Sequence, residues 1–493
     1  MIRMNFLASA PSELLQALDA LGQAPATDIN HLQRAPAFLR VLELCQGHYS
    51  GIGSGSTLRF AIASALQQLG LACLVDRTAP GLAVPTIDVL NGLDLAIRST
   101  STTRRHLCPL DLADELPPVS FGRNQVRRFS PAELGALVDF VRLKRAHRTW
   151  VFDSARFAQF TWLVVEEDVE HPSGVPGVRT LPGLLVNLGQ DLGRIEPHRS
   201  GLPASVEAAL FGLLTIPWED IADYREMDWR VFRIPWVYTI DGDVFARPRP
   251  PPSPDSLSWE PAWRPTGYED EEEYERPVNL PLEDNSSAID WLNDRAWAEL
   301  TSARNTSLFE RPVAHFFVRG FQSEGIDEFL AHISTIEAAL GSPVDHDAKK
   351  RPRVGGPKQG ATHRVCLRIS GLLDDATVGT TYAKLFGLRS DFLHGKPMGD
   401  IPGSERRTAR EIARKVVCAL IGAAVSVPSV DRDQFLADLL DGGARLDQKM
   451  NSMSQSEWRH WWSLVCSLPA DKAYKPFRRS SRSSRTGGTT IPL

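Results

Sequence analysis

The sequence predicts an α+β protein, with a mixed α/β N-terminal half of undetermined topology and an all-α C-terminal half. Helix-like and strand-like segments alternate up to residue 245, helical periodicity dominates from residue 281, and a proline-rich and acidic segment separates them. We therefore expect an α+β domain at 1–245, a linker at 246–280, a helical domain at 281–475 and a basic, disordered tail at 476–493.

Composition excludes several classes of protein. The 493 residues carry 55 Lys and Arg against 60 Asp and Glu, a net charge of −5, which excludes binding of nucleic acid by bulk charge. No apolar run is long enough to span a membrane, and the six cysteines form no CxxC pair. We expect a cytoplasmic protein with no membrane segment, no metal site and no cofactor.

Several segments of the N-terminal half have a clear periodicity. Ser12–Leu21 and Pro131–Leu143 read as helices, whereas Leu71–Val75, Thr161–Glu166 and Val231–Thr239 are rich in apolar, β-branched or aromatic residues and read as strands. The prolines of 246–265 and the acidic run Glu269–Glu275 predict an extended linker or surface loop, because proline removes backbone donors and like charges repel each other.

The C-terminal half reads as a helical bundle of roughly 190 residues. Apolar residues recur at three- and four-residue steps over 326–340, and further helices are predicted at 363–373, 380–394 and 433–440. Another helix is predicted over 404–421, with Ser404 as its N-cap.

The segment 382–398, YAKLFGLRSDFLHGKPM, carries the most informative pattern. Arg389 interrupts an apolar stripe, where an arginine needs a carboxylate, a phosphate or a wet cleft. Gly395 and Pro397 end the helix, so His394 is predicted in its last turn. Residues five apart point about 140° away from each other on a straight helix. The two side chains therefore need an unwound helix end or a second copy of the helix to converge.

The form LRSDFLHG resembles the HEPN superfamily, and particularly its ApeA-like branch of bacterial anti-phage proteins, over about Ser287 to Val427. The resemblance implies a metal-independent endoribonuclease that acts as a homodimer through this domain, with larger assemblies left open. It also implies that the ribose 2′-hydroxyl attacks the adjacent phosphate, with catalytic roles for Arg389, which binds the phosphate, and His394, which moves the proton. Glu337, Ser390 and Asp391 are the candidates for supporting residues.

Basic residues near this motif are candidates for RNA contacts. They are Lys349, Lys350, Arg351, Arg353 and Lys358 in a Gly- and Pro-containing loop, Lys396 after the motif, and Arg407, Arg410 and Arg414 at three- and four-residue steps on one helix face. A solvated surface is the alternative interpretation of each group.

Other interpretations remain open at the level of sequence. A second Arg-x4-His pair, Arg142 and His147, lacks the Gly-Pro stop and reads as a solvated face. The helical domain is alternatively a non-catalytic module that binds RNA or a partner. Arg389 is alternatively a structural arginine paired with a carboxylate such as Glu337, and the alternative for Glu337 is a residue at the edge of the apolar stripe that reaches solvent. A further alternative places a nucleotide-binding or hydrolytic activity in residues 1–245, for which the leading hypothesis is a sensor or regulator with an unknown trigger. An anti-phage, abortive-infection role follows from the resemblance alone.

Overall fold

The computed structural model describes residues 12–175, 177–186, 193–197, 201–218, 231–265, 271–282, 289–310, 312–347, 360–395 and 400–452. These residues form a mixed α/β protein, with an antiparallel sheet in the N-terminal half and helices in the C-terminal half. The predicted fold class is confirmed at that level.

Helices dominate the first hundred residues and surround the sheet. The described helices of the N-terminal half are α1 (Ser12–Gly22), α2 (Ile29–Leu32), α3 (Pro36–His48), α4 (Ser56–Leu69), α5 (Thr86–Arg98), α6 (Pro131–Leu137), α7 (Phe140–Ala146), α8 (Ser154–Phe157), α9 (Leu181–Leu184) and α10 (Ala204–Leu214). Leucines of α1, α4 and α5 bury one apolar core with Phe38 and Val41 of α3. Helix α1 confirms the prediction for residues 12–21.

Six strands form the main sheet, in the order β3-β4-β5-β1-β9-β8, and all neighbours are antiparallel. The described strands are β1 (Ser101–Leu110), β2 (Leu112–Ala113), β3 (Val119–Phe121), β4 (Asn124–Arg128), β5 (Thr161–Glu170), β6 (Ser173–Val175), β7 (Val178–Arg179), β8 (Gly193–Ile195), β9 (Val237–Asp241), β10 (Trp259–Pro265), β11 (Glu271–Pro277) and β12 (Asn279–Leu280). An aromatic core that includes Trp162, Trp236 and Tyr238 packs one face of this sheet against α6, α7 and α8. Strand β5 confirms the prediction for 161–166.

The segment predicted as a linker, 246–280, is folded over most of its described length. Ala246 and Leu257 are buried, and β10 pairs with β11 in an antiparallel ribbon. Ion pairs across the ribbon, such as that between Arg264 Nη2 and Glu272 Oε2 at 2.7 Å, offset the repulsion within the acidic run. The expectation of an extended linker is therefore corrected.

Three local predictions also differ from the structure. Residues 71–75 form turns instead of a strand, because Gly70 ends α4 in the left-handed conformation (φ +91°) and the chain folds back onto α4. The predicted helix 131–143 breaks at Asp139 (φ +51°), whose side chain caps α7. The strand predicted at 231–239 is β9 and begins only at Val237.

The C-terminal half is helical, as predicted. Its described helices are α11 (Asp294–Arg304), α12 (Val313–Gln322), α13 (Gly325–Leu340), α14 (Ala361–Leu373), α15 (Ala376–Leu393), α16 (Gly403–Ser426) and α17 (Arg432–Ser452). Helix α13 packs against α12 and α16, and α16 also packs against α11. The N-cap of α16 is Pro402, so the helix begins before the predicted Ser404. Among the described helices none combines the length and the apolar character needed to cross a membrane.

Two compact units divide the chain differently from the predicted domains. Unit 1 comprises the described residues of Met1–Gly341 and Leu385–Arg432, and unit 2 those of Ser342–Lys384 and Asp433–Leu493. The sheet and helices α11 to α13 therefore belong to one unit, because α10 packs against both β5 and α12. The predicted tail, 476–493, lies outside the described residues.

Candidate functional site

Arg389 lies in the last turns of α15, where Leu385 is buried and anchors the helix. Its Nη2 is 3.3 Å from Oε2 of Glu337 on α13, and its Cζ is 5.2 Å from the ring centroid of Phe386. The Arg389 and Glu337 side chains are 26% and 33% exposed. Arg389 is therefore oriented by a carboxylate and an aromatic ring, yet remains reachable from solvent.

His394 follows the last residue of α15 directly, so it lies one position beyond the helix in whose final turn it was predicted. Its backbone N–H donates to the carbonyl of Ser390 at 3.0 Å, and Gly395 turns the chain away with φ +70°. The imidazole is exposed, and within the described residues it makes no hydrogen bond or ion pair. The ring is therefore accessible to a molecule that approaches this helix end.

A single chain does not bring these two side chains together. No hydrogen bond joins Arg389 to His394 in the described part of the chain, in agreement with their five-residue separation. Between them, Phe392 and Leu393 are 40% and 53% exposed, although they belong to the apolar stripe of 382–398 that Arg389 interrupts and that the sequence predicts to be buried. The end of α15 therefore presents a cation, an imidazole and an uncovered apolar pair on one short segment.

The supporting candidates are placed unequally. Glu337 is the one of the three that forms an ion pair with Arg389. Ser390 and Asp391 are half-buried on the same turn as Arg389. The backbone carbonyl of Ser390 accepts a hydrogen bond from the backbone N–H of His394. The proposed support of Arg389 thus depends on α13 more than on the residues that follow it in sequence.

The basic face predicted on α16 does not face solvent. Arg410 and Arg414 are buried: Arg410 Nη2 lies 2.7 Å from Oε1 of the buried Glu328, and Arg414 Nε donates to the carbonyl of Leu214. The prediction that these two residues contact RNA is wrong, as is the alternative that they form a solvated face, because this face of α16 packs against α13 and the end of α10. Arg407 is partly exposed and pairs with Glu411 on its own helix, so its role as an RNA contact stays a prediction.

The other basic candidates lie outside the described residues. They are Lys349, Lys350, Arg351, Arg353, Lys358 and Lys396.

A polar seam crosses the main sheet on the face opposite its aromatic core, and sequence reasoning missed it. We define it as Thr102, Arg104 and His106 of β1, Glu167 of β5, and Thr239 and Asp241 of β9. His106 bridges strands: Nδ1 is 2.8 Å from the Thr239 hydroxyl, and Nε2 is 3.2 Å from Oε1 of Glu167. That hydrogen bond from His106 is the main reason why the pKa of Glu167 is lowered.

The seam continues toward the end of β5. Thr102 donates to Asp241 and lies 2.9 Å from Nε2 of the buried His171, while Arg104 donates to Asp241 at 2.9 Å. Burial, and then the positive charge of Arg179, lower the pKa of His171 and favour its neutral form. Most of these groups are buried, whereas Thr102, Arg104 and Glu167 are partly exposed, and their mutual hydrogen bonds stabilise the sheet. No signal in the sequence marks the seam, because Ser101, Thr103 and Arg105 on the other side of β1 are equally polar.

Comparisons with known proteins add no assignment: no protein-family model matches the chain, and neither a curated protein nor a solved structure is significantly similar to it. Within the described residues, no group of three or more His, Cys, Asp and Glu side chains is arranged to hold a metal ion.

Proposed function

We propose that this protein is a HEPN-type, metal-independent endoribonuclease of the cytoplasm that acts as a homodimer through the end of α15. The observation that carries the proposal is a partly exposed Arg389, held by Glu337, close in sequence to an exposed His394 at a glycine-terminated helix end. Because the guanidinium and its carboxylate partner are both accessible, an anion can bind Arg389 without breaking a buried ion pair.

The proposed reaction is an internal transesterification. The ribose 2′-oxygen attacks the neighbouring phosphorus while the bond from phosphorus to the 5′-oxygen breaks, leaving a 2′,3′-cyclic phosphate and a 5′-hydroxyl. His394 accepts the proton of the 2′-hydroxyl, and an imidazolium, from the same or the second protomer, protonates the leaving oxygen. Arg389 neutralises the additional negative charge on the phosphate oxygens in the transition state.

Dimerisation would supply what one chain lacks. Phe392 and Leu393 are apolar, exposed and immediately adjacent to His394. A twofold-related copy of the helix end would cover them and place the Arg389 and His394 of both chains around one opening. Leu393→Glu should therefore shift the mass measured by light scattering from that of a dimer to that of a monomer, and the same variant should no longer cleave RNA.

The test of the catalytic proposal uses purified protein, end-labelled single-stranded RNA and an excess of EDTA. Arg389→Ala and His394→Ala are each expected to lower the cleavage rate at least about 100-fold, because each removes a transition-state interaction. Glu337→Gln keeps the shape but loses the charge, and should lower the rate about tenfold by loosening Arg389. The matched controls are His363→Ala and Arg319→Ala, which replace exposed side chains on other helices and should leave the rate unchanged.

Two outcomes would overturn this proposal. If RNA binds but wild type never cuts it, the helical part is a binding module. If cutting persists in both variants, the activity lies elsewhere, and the N-terminal half becomes the place to search for it.

The anti-phage role, with the N-terminal half as the regulator, is part of the same proposal and is supported by the HEPN resemblance of the motif. Cells that carry the wild-type chain should plate a sensitive phage less efficiently than cells that carry Arg389→Ala at equal protein level. Equal plating on both strains across a broad phage panel would reject the defence role without touching the ribonuclease.

A further inference from the structure

The ribbon formed by β10 and β11 is a two-stranded sheet of its own, and most of its side chains are exposed. Cross-strand partners share a face of an antiparallel pair, so the register assigns the faces. One face, here called the Trp/Glu face, carries Trp259, Pro261, Trp263 and Pro265 of β10 and Glu271, Glu273, Glu275 and Pro277 of β11. It consists of an acidic strand beside a strand of tryptophan and proline.

The chain itself shows how the Trp/Glu face receives an arginine. Arg156 of α8 reaches the base of the ribbon and stacks its guanidinium 4.2 Å from the ring of Trp259. Its Nη2 is 2.9 Å from Oε2 of Glu275, and Nη1 pairs with Asp255. A flat cation between an indole and a carboxylate satisfies the cation–π and hydrogen-bonding preferences of arginine together.

The same arrangement repeats four residues farther along both strands. Trp263 corresponds to Trp259, and Glu271 corresponds to Glu275, while Glu273 lies directly opposite Trp263. Four residues of β-strand span about 13 Å, so the second position is clear of Arg156. Trp263 is 60% exposed, and neither Glu271 nor Glu273 forms an ion pair among the described residues.

We propose that Trp263, Glu271 and Glu273 form a binding site for an arginine side chain of a partner protein, presented on an extended, arginine-bearing segment. Charge favours this occupant, because two carboxylates flank the exposed indole, whereas a nucleic acid would be repelled. Lysine fits less well, since its ammonium cannot lie flat on the ring while it bridges both carboxylates. An extended segment fits because alternate residues of a strand repeat at the spacing of Glu271 and Glu273. The inference does not rest on the ribonuclease proposal.

The experiment measures the fluorescence anisotropy of a labelled peptide, acetyl-GRSRSRSG-amide, titrated with the full-length protein at low salt. Saturable binding is expected, and the same peptide with lysine for arginine should bind several-fold more weakly. Trp263→Ala should weaken binding about threefold to fivefold. The double variant Glu271→Gln with Glu273→Gln should weaken it about tenfold. As matched control, Glu260→Gln with Glu272→Gln removes equal charge from the opposite face and should change binding less than twofold.

Four results would overturn the inference. One is the absence of saturable binding at protein concentrations up to the millimolar range. Another is an equal loss of peptide affinity in the two double variants, which would mean that the peptide is attracted to negative charge in general. A third is equal affinity for the lysine peptide. The last is an oligomer of the wild-type protein, seen by light scattering, that Trp263→Ala dissociates without changing peptide binding. A second copy of the chain would then be the molecule that occupies this face. Circular dichroism of each variant confirms that the fold is intact.

Discussion

Replacing Arg410 by alanine separates a structural arginine from an RNA-binding one. Arg410 is buried on α16 and donates through Nε and Nη2 to Oε1 of Glu328, which is buried on α13. Arg406 contacts the other carboxylate oxygen at 3.1 Å. The substitution Arg410→Ala removes one of two guanidiniums from a carboxylate that has no access to water.

The expected cost follows from this burial. Removing one partner of a buried ion pair costs about 3–5 kcal/mol, and we expect about 3 kcal/mol because Arg406 still contacts Glu328. The entropy of unfolding scales with chain length, so in a unit as large as unit 1 this corresponds to a decrease in Tm of about 3–4 °C. Arg407→Ala breaks the partly exposed pair with Glu411, and should shift Tm by about 1 °C or less.

Differential scanning calorimetry at pH 7 measures both variants, and electrophoretic mobility shift with a single-stranded RNA measures binding. We expect Arg410→Ala to lower Tm and to leave RNA affinity unchanged at a temperature where it is folded. The reasoning is refuted if Arg410→Ala keeps the wild-type Tm and weakens RNA binding as much as Arg407→Ala does. Helix α16 would then expose the basic face that its sequence suggests.

Three further predictions concern packing, pH and thiol reactivity. A Cβ at Gly443 would collide with the Leu367 carbonyl oxygen, so Gly443→Ala should lower the free energy of unfolding by about 1–3 kcal/mol. A Cβ at Gly442 meets nothing closer than 3.9 Å, so Gly442→Ala should raise Tm slightly, because alanine favours the helix more than glycine does. Calorimetry compares the two variants. Burial alone would raise the pKa of Asp345, but hydrogen bonds from its two arginine partners outweigh it and lower the pKa. This stabilisation is complete above the unfolded pKa of about 3.9 and is lost as pH falls below it, so thermal melts of Asp345→Asn should show a flatter acid limb than wild type. Burial raises the pKa of the Cys45 thiol to about 12, so it should not react with DTNB at pH 8 until the protein unfolds; a fast phase that disappears in Cys45→Ser would contradict this.

Local patterns in the sequence predicted helices far better than they predicted which helix faces are covered. The apolar steps of α13 indicated its buried side, and Glu337 at the edge of that stripe does meet Arg389. The prediction for the arginines of α16 was wrong because arginines three and four residues apart lie on one helix face whether that face is buried or solvated. What decides between them is Glu328, which lies 82 residues from Arg410 in the chain, and no local pattern contains that information.

The sheet was incompletely predicted for a similar reason. Alternating polar residues in a strand usually mark a solvent face, but in β1 Thr102, Arg104 and His106 alternate with neighbours that are also polar up to residue 105. The side that carries these three residues is largely buried, and Glu167 of β5 and Asp241 of β9 bond to it across both strand neighbours. Only the register of three strands, set by residues far apart in the chain, makes such a face stable when buried.

Exposure separates the candidate site from the structural ion pairs of the same chain. Glu328 and Asp345 are buried carboxylates that each hold two guanidiniums, so a phosphate that bound Arg364, Arg368, Arg410 or the 23% exposed Arg406 would compete with a carboxylate shielded from water. The ion pair of the candidate site is longer, with Nη2 of Arg389 3.3 Å from Oε2 of Glu337, and the two side chains are 26% and 33% exposed. A phosphate can therefore contact the open edge of Arg389 while Glu337 still orients the guanidinium. Of the arginines compared, Arg389 is the one whose carboxylate partner is itself accessible to solvent.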